Sequence, residues 1–252
     1  MDLPILNAWH NCSRTAVVAV GSCDSVRECV SVFRDQPVTT GLEAFGYIDR
    51  DAWPDSHLDA DQFVKALPVS EIEGLFCIES IFKALAIHNG SDAATAQKQF
   101  DAFAAEARSA FKDALLNKQI LERAKMRVEI EQKALLNPIR PNPDLRVVRT
   151  AFAAAAPPSG WPAYLHTVFA EEESRLGASL TGPASNFLKD FPAKSYLNVA
   201  ARHLKLVPEK MVEVLRNALM LSDAEAVKEE RLKALRDSIV PTIQTFLWPR
   251  KA

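Results

Sequence analysis

The chain has 252 residues, 48% of them apolar and 25% charged, with 30 basic side chains against 32 acidic ones and a formal net charge of −2. That composition excludes a disordered or low-complexity chain, and the near-neutral balance excludes a global basic footprint for nucleic acid. Any such binding must rest on a local patch, in a chain long enough for one large domain or two small ones.

No apolar run reaches the length of a membrane span, and Met1-Asp2-Leu3-Pro4-Ile5-Leu6 lacks the basic region of a signal peptide. Cys12, Cys23, Cys29 and Cys77 form no CxxC pair and have no histidines at zinc-ligand spacing. A cytoplasmic protein with reduced thiols and no membrane association is expected.

In chain order, Thr15–Val20 is an apolar run ending at Gly21 and predicts a buried strand. Ser25 and Glu28 have the spacing of a capping box, followed by Val26, Cys29, Val30 and Phe33 on one helical face. Glu43–Ile48 predicts a second strand, stopped by acidic residues, and Phe63–Leu67 a third, stopped by Pro68. Strand, helix, strand, strand implies a small, mainly parallel α/β sheet over residues 1–90. From Ser70 onward the pattern is helical. Ser70 and Glu73 have capping-box spacing, Ser91 or Asp92 can start a long helix over 91–137, and Asn137–Pro143 is a stiff connector. Further helices are expected around Leu145–Ala155, Pro162–Leu176, Ser195–Leu204, Glu209–Leu221 and Ala224–Leu247. The helical region, 91–252, is expected to pack back on the core.

The sharpest chemical feature is Gly46-Tyr47-Ile48-Asp49-Arg50-Asp51. A lone D-x-D means little, and Asp59-Ala60-Asp61 shows the same pattern in a polar loop. Asp49 and Asp51 differ in standing where an apolar strand runs out, the place at which open parallel sheets hold ligands. Two such carboxylates can share a hard cation such as Mg²⁺, or form a solvated acidic turn before Trp53-Pro54. Glu71 and Glu73 follow the next strand and either complete a metal site or serve the start of a helix. Arg123 and Arg127 share a helical face at i, i+4. They suit phosphate contacts or ion pairing, as in Arg127–Glu131.

Together these runs resemble a TOPRIM-like nuclease family that works beside AAA/ABC-type ATPases in bacterial anti-phage defence. Its members include the nuclease subunit of the PARIS system, with the OLD-family nucleases more distant. The resemblance rests on the run Val17–Gly21 with the helix after it, on Gly46–Asp51, on Leu67-Pro-Val-Ser-Glu-Ile-Glu-Gly-Leu-Phe76, and more weakly on Leu121–Glu129 and Phe191-Pro-Ala-Lys194-Ser-Tyr-Leu197. It implies Mg²⁺ or Mn²⁺ as cofactor, a nucleic-acid substrate and an ATPase partner, with a homo-oligomer also compatible. It implies metal-binding roles for Asp49, Asp51, Glu71 and Glu73, and charge stabilisation at the transferring phosphate by Lys194. Gly74 stands where the family has Asn, and Ala193 where it has Gly. The family's first strand ends in Val-Glu-Gly, and nothing before Ala16 matches it. The resemblance therefore implies either a late start or a degenerate member that binds metal weakly and cleaves poorly. The alternative is a non-catalytic, partner-binding module.

Overall fold

The apolar runs that stop at Asp49 and Pro68 become the two strands of a parallel pair. The computed structural model describes residues 2–11, 15–35, 43–58, 61–112, 114–136, 146–147, 149–150 and 160–249. β1 (Gly46–Ile48) and β2 (Val64–Ala66) pair with Gly46 opposite Val64, Tyr47 opposite Lys65 and Ile48 opposite Ala66. Alternate side chains leave opposite faces. Ile48 and Val64 pack with Val30 and Val26 of the first crossing helix and with Leu58, whereas Tyr47 reaches the larger helical core. Gly46 is required by this packing: a Cβ there would stand 2.6 Å from Val26 Cγ1. The helix therefore lies directly on the strand.

Before the sheet come α1 (Asp2–Trp9) and α2 (Cys23–Asp35); α3 (Asp55–Leu58) lies between the strands. Residues 15–20 do not pair as a strand, contrary to the expectation for that run. An apolar run sets a preference for burial without supplying a pairing partner. The adjoining core is filled by Ile5 and Trp9 of α1, and Val17 alone of the run packs against it, while Val18 is 71% exposed. The cap of α2 also shifts from Ser25 to Ser22, whose Oγ accepts the Ser25 N–H at 3.2 Å.

After β2 a 3₁₀ helix (Ile72–Cys77) leads into α4 (Glu79–His88) and α5 (Ala93–Ala110). Asp92 caps α5 by accepting the Thr95 N–H at 2.7 Å. The helix expected over 91–137 is broken at Phe111, and α6 (Ala114–Leu136) starts anew. Phe111 keeps the apolar period, which hides the break from pattern reading. Its ring is buried 4.6 Å from that of Phe191 and 5.6 Å from that of Phe187, and its backbone leaves the helical region at φ −92°, ψ 64°. The connector at 137–143 lies outside the described residues, as does most of the expected helix around 145–155.

The remaining helices are α7 (Gly160–Thr181), α8 (Ala184–Asp190), α9 (Leu197–His203), α10 (Pro208–Met220), α11 (Asp223–Ala226) and α12 (Glu230–Gln244). α8 was not foreseen, and the helix expected over 224–247 is interrupted after a real capping box at Ser222 and Glu225. α12 packs on α4, α10 on α1, and α7 pairs with α6. One contiguous apolar cluster runs from Ile5 through Phe76, Phe103 and Leu215 to Leu247, so the main core joins the residues on both sides of position 90. The result is a mainly helical α/β protein with a two-stranded parallel sheet. Among the described residues no helix is long and apolar enough to cross a membrane.

Residues far apart in sequence clasp the sheet. Trp9 Nε1 donates to the Trp248 carbonyl at 2.9 Å, and the Trp248 N–H donates to Tyr47 Oη at 2.7 Å. Tyr47 Oη also lies 2.8 Å from His10 Nε2, and Trp248 Nε1 donates to the Gly46 carbonyl at 3.3 Å. Burial pushes the Tyr47 hydroxyl well above its ordinary value, keeping it a neutral bridge. Trp9→Ala removes a fully buried ring. It is expected to cost about 3–5 kcal/mol in urea unfolding, whereas Trp9→Phe loses chiefly the hydrogen bond, about 1 kcal/mol.

Candidate functional site

Ile48 is the last residue of β1, and the chain turns out of the sheet at Asp49. Asp49 Oδ1 accepts the Ile72 N–H at 3.1 Å, and so caps, from another segment, the 3₁₀ helix that follows β2. Two residues on, the Asp51 N–H donates to the Ser70 carbonyl at 2.9 Å. Asp51 is in the left-handed region at φ 42°, a conformation that Asp tolerates better than most side chains. The loop after β1 is thus stitched to the loop after β2 at the carboxyl end of the parallel pair.

These ties correct the expected capping box at Ser70 and Glu73. Ser70 faces the other way: its Oγ donates to the Phe191 carbonyl at 2.5 Å and its N–H to the Leu188 carbonyl at 2.9 Å. Glu71 holds the cap position of the 3₁₀ helix without a side-chain cap bond. Its carboxylate is spent on a distant residue: Oε1 accepts Lys194 Nζ at 2.8 Å and Oε2 accepts the Lys194 N–H at 3.0 Å. Glu71 and Glu73 are each only 8% exposed. Buried carboxylates this close to others need a positive neighbour. The Lys194 side chain, 71% exposed in a short 3₁₀ helix (Ala193–Ser195), supplies one from the rim.

The electrostatics tie five groups into one field. Asp51 is held above the ordinary carboxylate range, by desolvation first and then by Glu71 and Glu73, with Lys194 acting in the opposite sense. Lys194 is raised by its hydrogen bond to Glu71, then by the charges of Glu71, Glu73 and Asp49. All of Asp49, Asp51, Glu71, Glu73 and Lys194 are therefore brought to one end of the sheet. Of the four carboxylates, Glu71 is ion-paired with the Lys194 ammonium at 2.8 Å, and the charges of Glu73 and Asp49 also act on it. Mg²⁺ takes one or two carboxylates plus water and phosphate. Among the described residues no group of three or more Asp, Glu, His or Cys side chains is arranged to hold a metal ion by itself.

Arg123 and Arg127 share a helical face as expected, and that face packs on α7. Arg123 is 3% exposed and donates through Nε to Glu172 Oε2 at 3.1 Å, so it does not face solvent as a phosphate contact would. Arg127 pairs with Glu131 at 3.4 Å, as its spacing suggested, and with Glu171 at 2.6 Å. The acidic Glu171-Glu172 pair, one helix away, was the missed signal.

Sequence reading also missed the flank of the site. Cys23 Sγ lies 3.8 Å from the Asp49 carbonyl oxygen. Burial, then the charge of Asp51, pushes its thiol up to about 11, so it stays protonated at neutral pH. Trp53 and His57 stack with ring centroids 4.5 Å apart, and Arg27 Nη2 donates to the His57 carbonyl at 2.6 Å. Asp61, from the second D-x-D, accepts the Phe63 N–H at 2.7 Å and shapes a turn; Asp59 and Ala60 lie outside the described residues.

Comparison with known proteins gives no matching family model, no matching curated protein and no matching solved structure.

The raised Asp51 pKa has a consequence for stability. A carboxyl raised by folding contributes stability that is complete below its ordinary value of 3.8 and lost as pH rises through the folded value. Asp51→Asn is therefore expected to raise the melting temperature at neutral pH, with the gain vanishing on acidification below 3.8. The effect is modest because Asp51 is accessible at the rim and solvent screens it. Thermal melts of both proteins across the acid range measure it.

Proposed function

We propose that the chain is a Mg²⁺-dependent nuclease that hydrolyses phosphodiester bonds of DNA or RNA. The observation that carries this reading is the convergence of Asp49, Asp51, Glu71, Glu73 and Lys194, spread over the sequence from position 49 to 194, at the carboxyl end of β1 and β2. A structural salt bridge needs two of these groups. Burial first, and then the charges of Glu71 and Glu73, raise the proton affinity of Asp51, and a cation bound there would relieve that crowding.

Asp49 and Asp51 are the residues to hold Mg²⁺, with Glu71 and Glu73 supplying further negative charge at its edge. The bound ion would neutralise a phosphate and lower the pKa of its water. Within the chain, Glu71 anchors the Lys194 ammonium at the rim, where it faces an incoming phosphate oxygen as a point charge. The Asp49 bond to the Ile72 N–H fixes the direction of that carboxylate before any ligand arrives. The resemblance of Gly46–Asp51 and Leu67–Phe76 to the TOPRIM-like family adds the context: a toxic effector in anti-phage defence, controlled by an AAA/ABC-type ATPase partner.

A second reading, a non-catalytic module that binds the partner, is favoured by one observation. Asp49 and Glu71 already have protein partners for their carboxylates, and no three metal-ligating side chains among the described residues are arranged to hold an ion. Mn²⁺ binding followed by electron paramagnetic resonance separates the two. The nuclease reading expects binding by the wild-type chain that falls about tenfold or more in Asp49→Asn and Asp51→Asn, with loss of metal-dependent cleavage. Lys194→Ala gives the finer test. Cleavage should fall about 100-fold, as when one charge-stabilising donor is removed, while Mn²⁺ binding is kept or tightened because a competing cation has gone. A chain that neither binds Mn²⁺ nor cleaves in the presence of the ATPase is the module.

A further inference from the structure

Arg123 makes one contact that its role in the α6–α7 pair does not need. Its Nε and Nη2 serve the helices: Nε donates to Glu172 at 3.1 Å, and Nη2 lies 3.7 Å from Asp190 Oδ1. Those carboxylates have other partners. Asp190 also accepts Ser179 Oγ at 2.5 Å and Arg175 Nη2 at 2.8 Å, and Glu172 Oε1 lies 3.8 Å from Arg127 Nη1. The remaining arm, Nη1, leaves the helical pair and donates to the backbone carbonyl of Asp51 at 3.4 Å. A buried guanidinium has a rigid planar fork, so fixing two of its arms on α7 and α8 fixes where the third arm points.

The receiving residue has a backbone that gains from support. Asp51 is one of two residues other than glycine at positive φ among those described. Its N–H is held by the Ser70 carbonyl and its C=O by Arg123, so both of its hydrogen-bonding backbone groups are tied to other segments. A carboxylate two rotatable bonds from a backbone pinned at both groups has few directions open to it. The neighbouring frame is held from the same side: Arg50 and Lys189 both pair with Asp55, at 3.3 and 2.8 Å, and Arg175 spans Asp55 and Asp190.

We propose that Arg123 is a positioning residue for Asp51, through which the α6–α7 pair holds the acidic loop in the conformation that binds a divalent cation. This rests on the reading of Asp51 as a cation ligand, and the test separates the two. Arg123→Met combined with Glu172→Gln removes the buried pair as a unit, leaving Asp190 its partners Arg175 and Ser179. Arg123→Lys keeps the buried charge but has no fork to span three acceptors. Both are made in the full chain and probed with Mn²⁺ and by hydrogen exchange of the Asp51 amide. The expected result is Mn²⁺ affinity lowered about tenfold and faster exchange at the Asp51 amide in both variants, with the Leu215 amide in α10 unchanged. Wild-type Mn²⁺ affinity and wild-type exchange at Asp51 in a folded variant overturn the proposal. If the double variant fails to fold, Arg123→Lys decides alone. If Asp51→Asn binds Mn²⁺ as the wild type does, the cation reading fails. The exchange rate at Asp51 then decides: faster exchange keeps Arg123 as the residue that positions the loop, and unchanged exchange overturns it.

Discussion

The stitch between the two loops at the carboxyl end of the sheet is the interaction on which the rest depends. A two-stranded sheet has little capacity to orient side chains by itself, since each strand has one neighbour and three paired residues. Asp49 accepting the Ile72 N–H and Asp51 donating to the Ser70 carbonyl supply the hold on the two loops that so small a sheet lacks. The two bonds run in opposite senses between the same two loops, so neither loop can slide without breaking one of them. They also set the start of the 3₁₀ helix, and therefore the burial of Glu71 and Glu73.

Around that stitch the helical body acts as a vise. On one side, α2 and α3 close over Ile48 and Val64 in a small apolar cluster. On the other, the large cluster takes in Phe76 together with Phe82, Phe103, Phe187 and Tyr196, and the last four rings meet at centroid distances of 5.1 to 6.2 Å. The same aromatic body brings residues 187–196 to the sheet. Ser70 bonds to the carbonyls of Leu188 and Phe191, and Lys194 follows three residues later onto Glu71. The placement of the Lys194 ammonium is thus a consequence of packing more than a hundred residues away in sequence.

Charge is distributed to match. At the acidic end of the sheet Glu71 and Glu73 are buried behind the exposed Asp51 and Lys194, while Arg123, Arg175 and Lys189 pair with Glu172, Asp190 and Asp55. A chain whose overall charge is −2 therefore separates an acid-rich site from an ion network that is buried at Arg123, Glu172 and Asp190 and reaches the surface at Lys189 and Asp55. Such networks cost desolvation and repay it in geometry, here by fixing the loop that carries Asp49, Arg50 and Asp51.

The sequence by itself determined the short strands at 46–48 and 64–66, the acidic residues at their ends and the helical character after position 70. Each of these is written in local period and local stop signals. Asp92 as a cap and the Arg127–Glu131 pair were legible for the same reason: their partners lie within a turn. What the sequence left open was every relation across the chain. Thr15–Val20 carries the apolarity of a strand, yet Ile5 and Trp9 hold the core beside it. Phe111 continues a helical period through a residue where the helix ends. Ser70 and Glu73 have the spacing of a cap whose place is taken by Asp49, and Arg123 shows the spacing of a phosphate contact while lying buried against Glu172. Periodicity reports which side chains want burial or a local partner. Tertiary structure alone decided which partner, because each backbone donor, carboxylate and ring had several candidates and only the assembled fold brings one within reach.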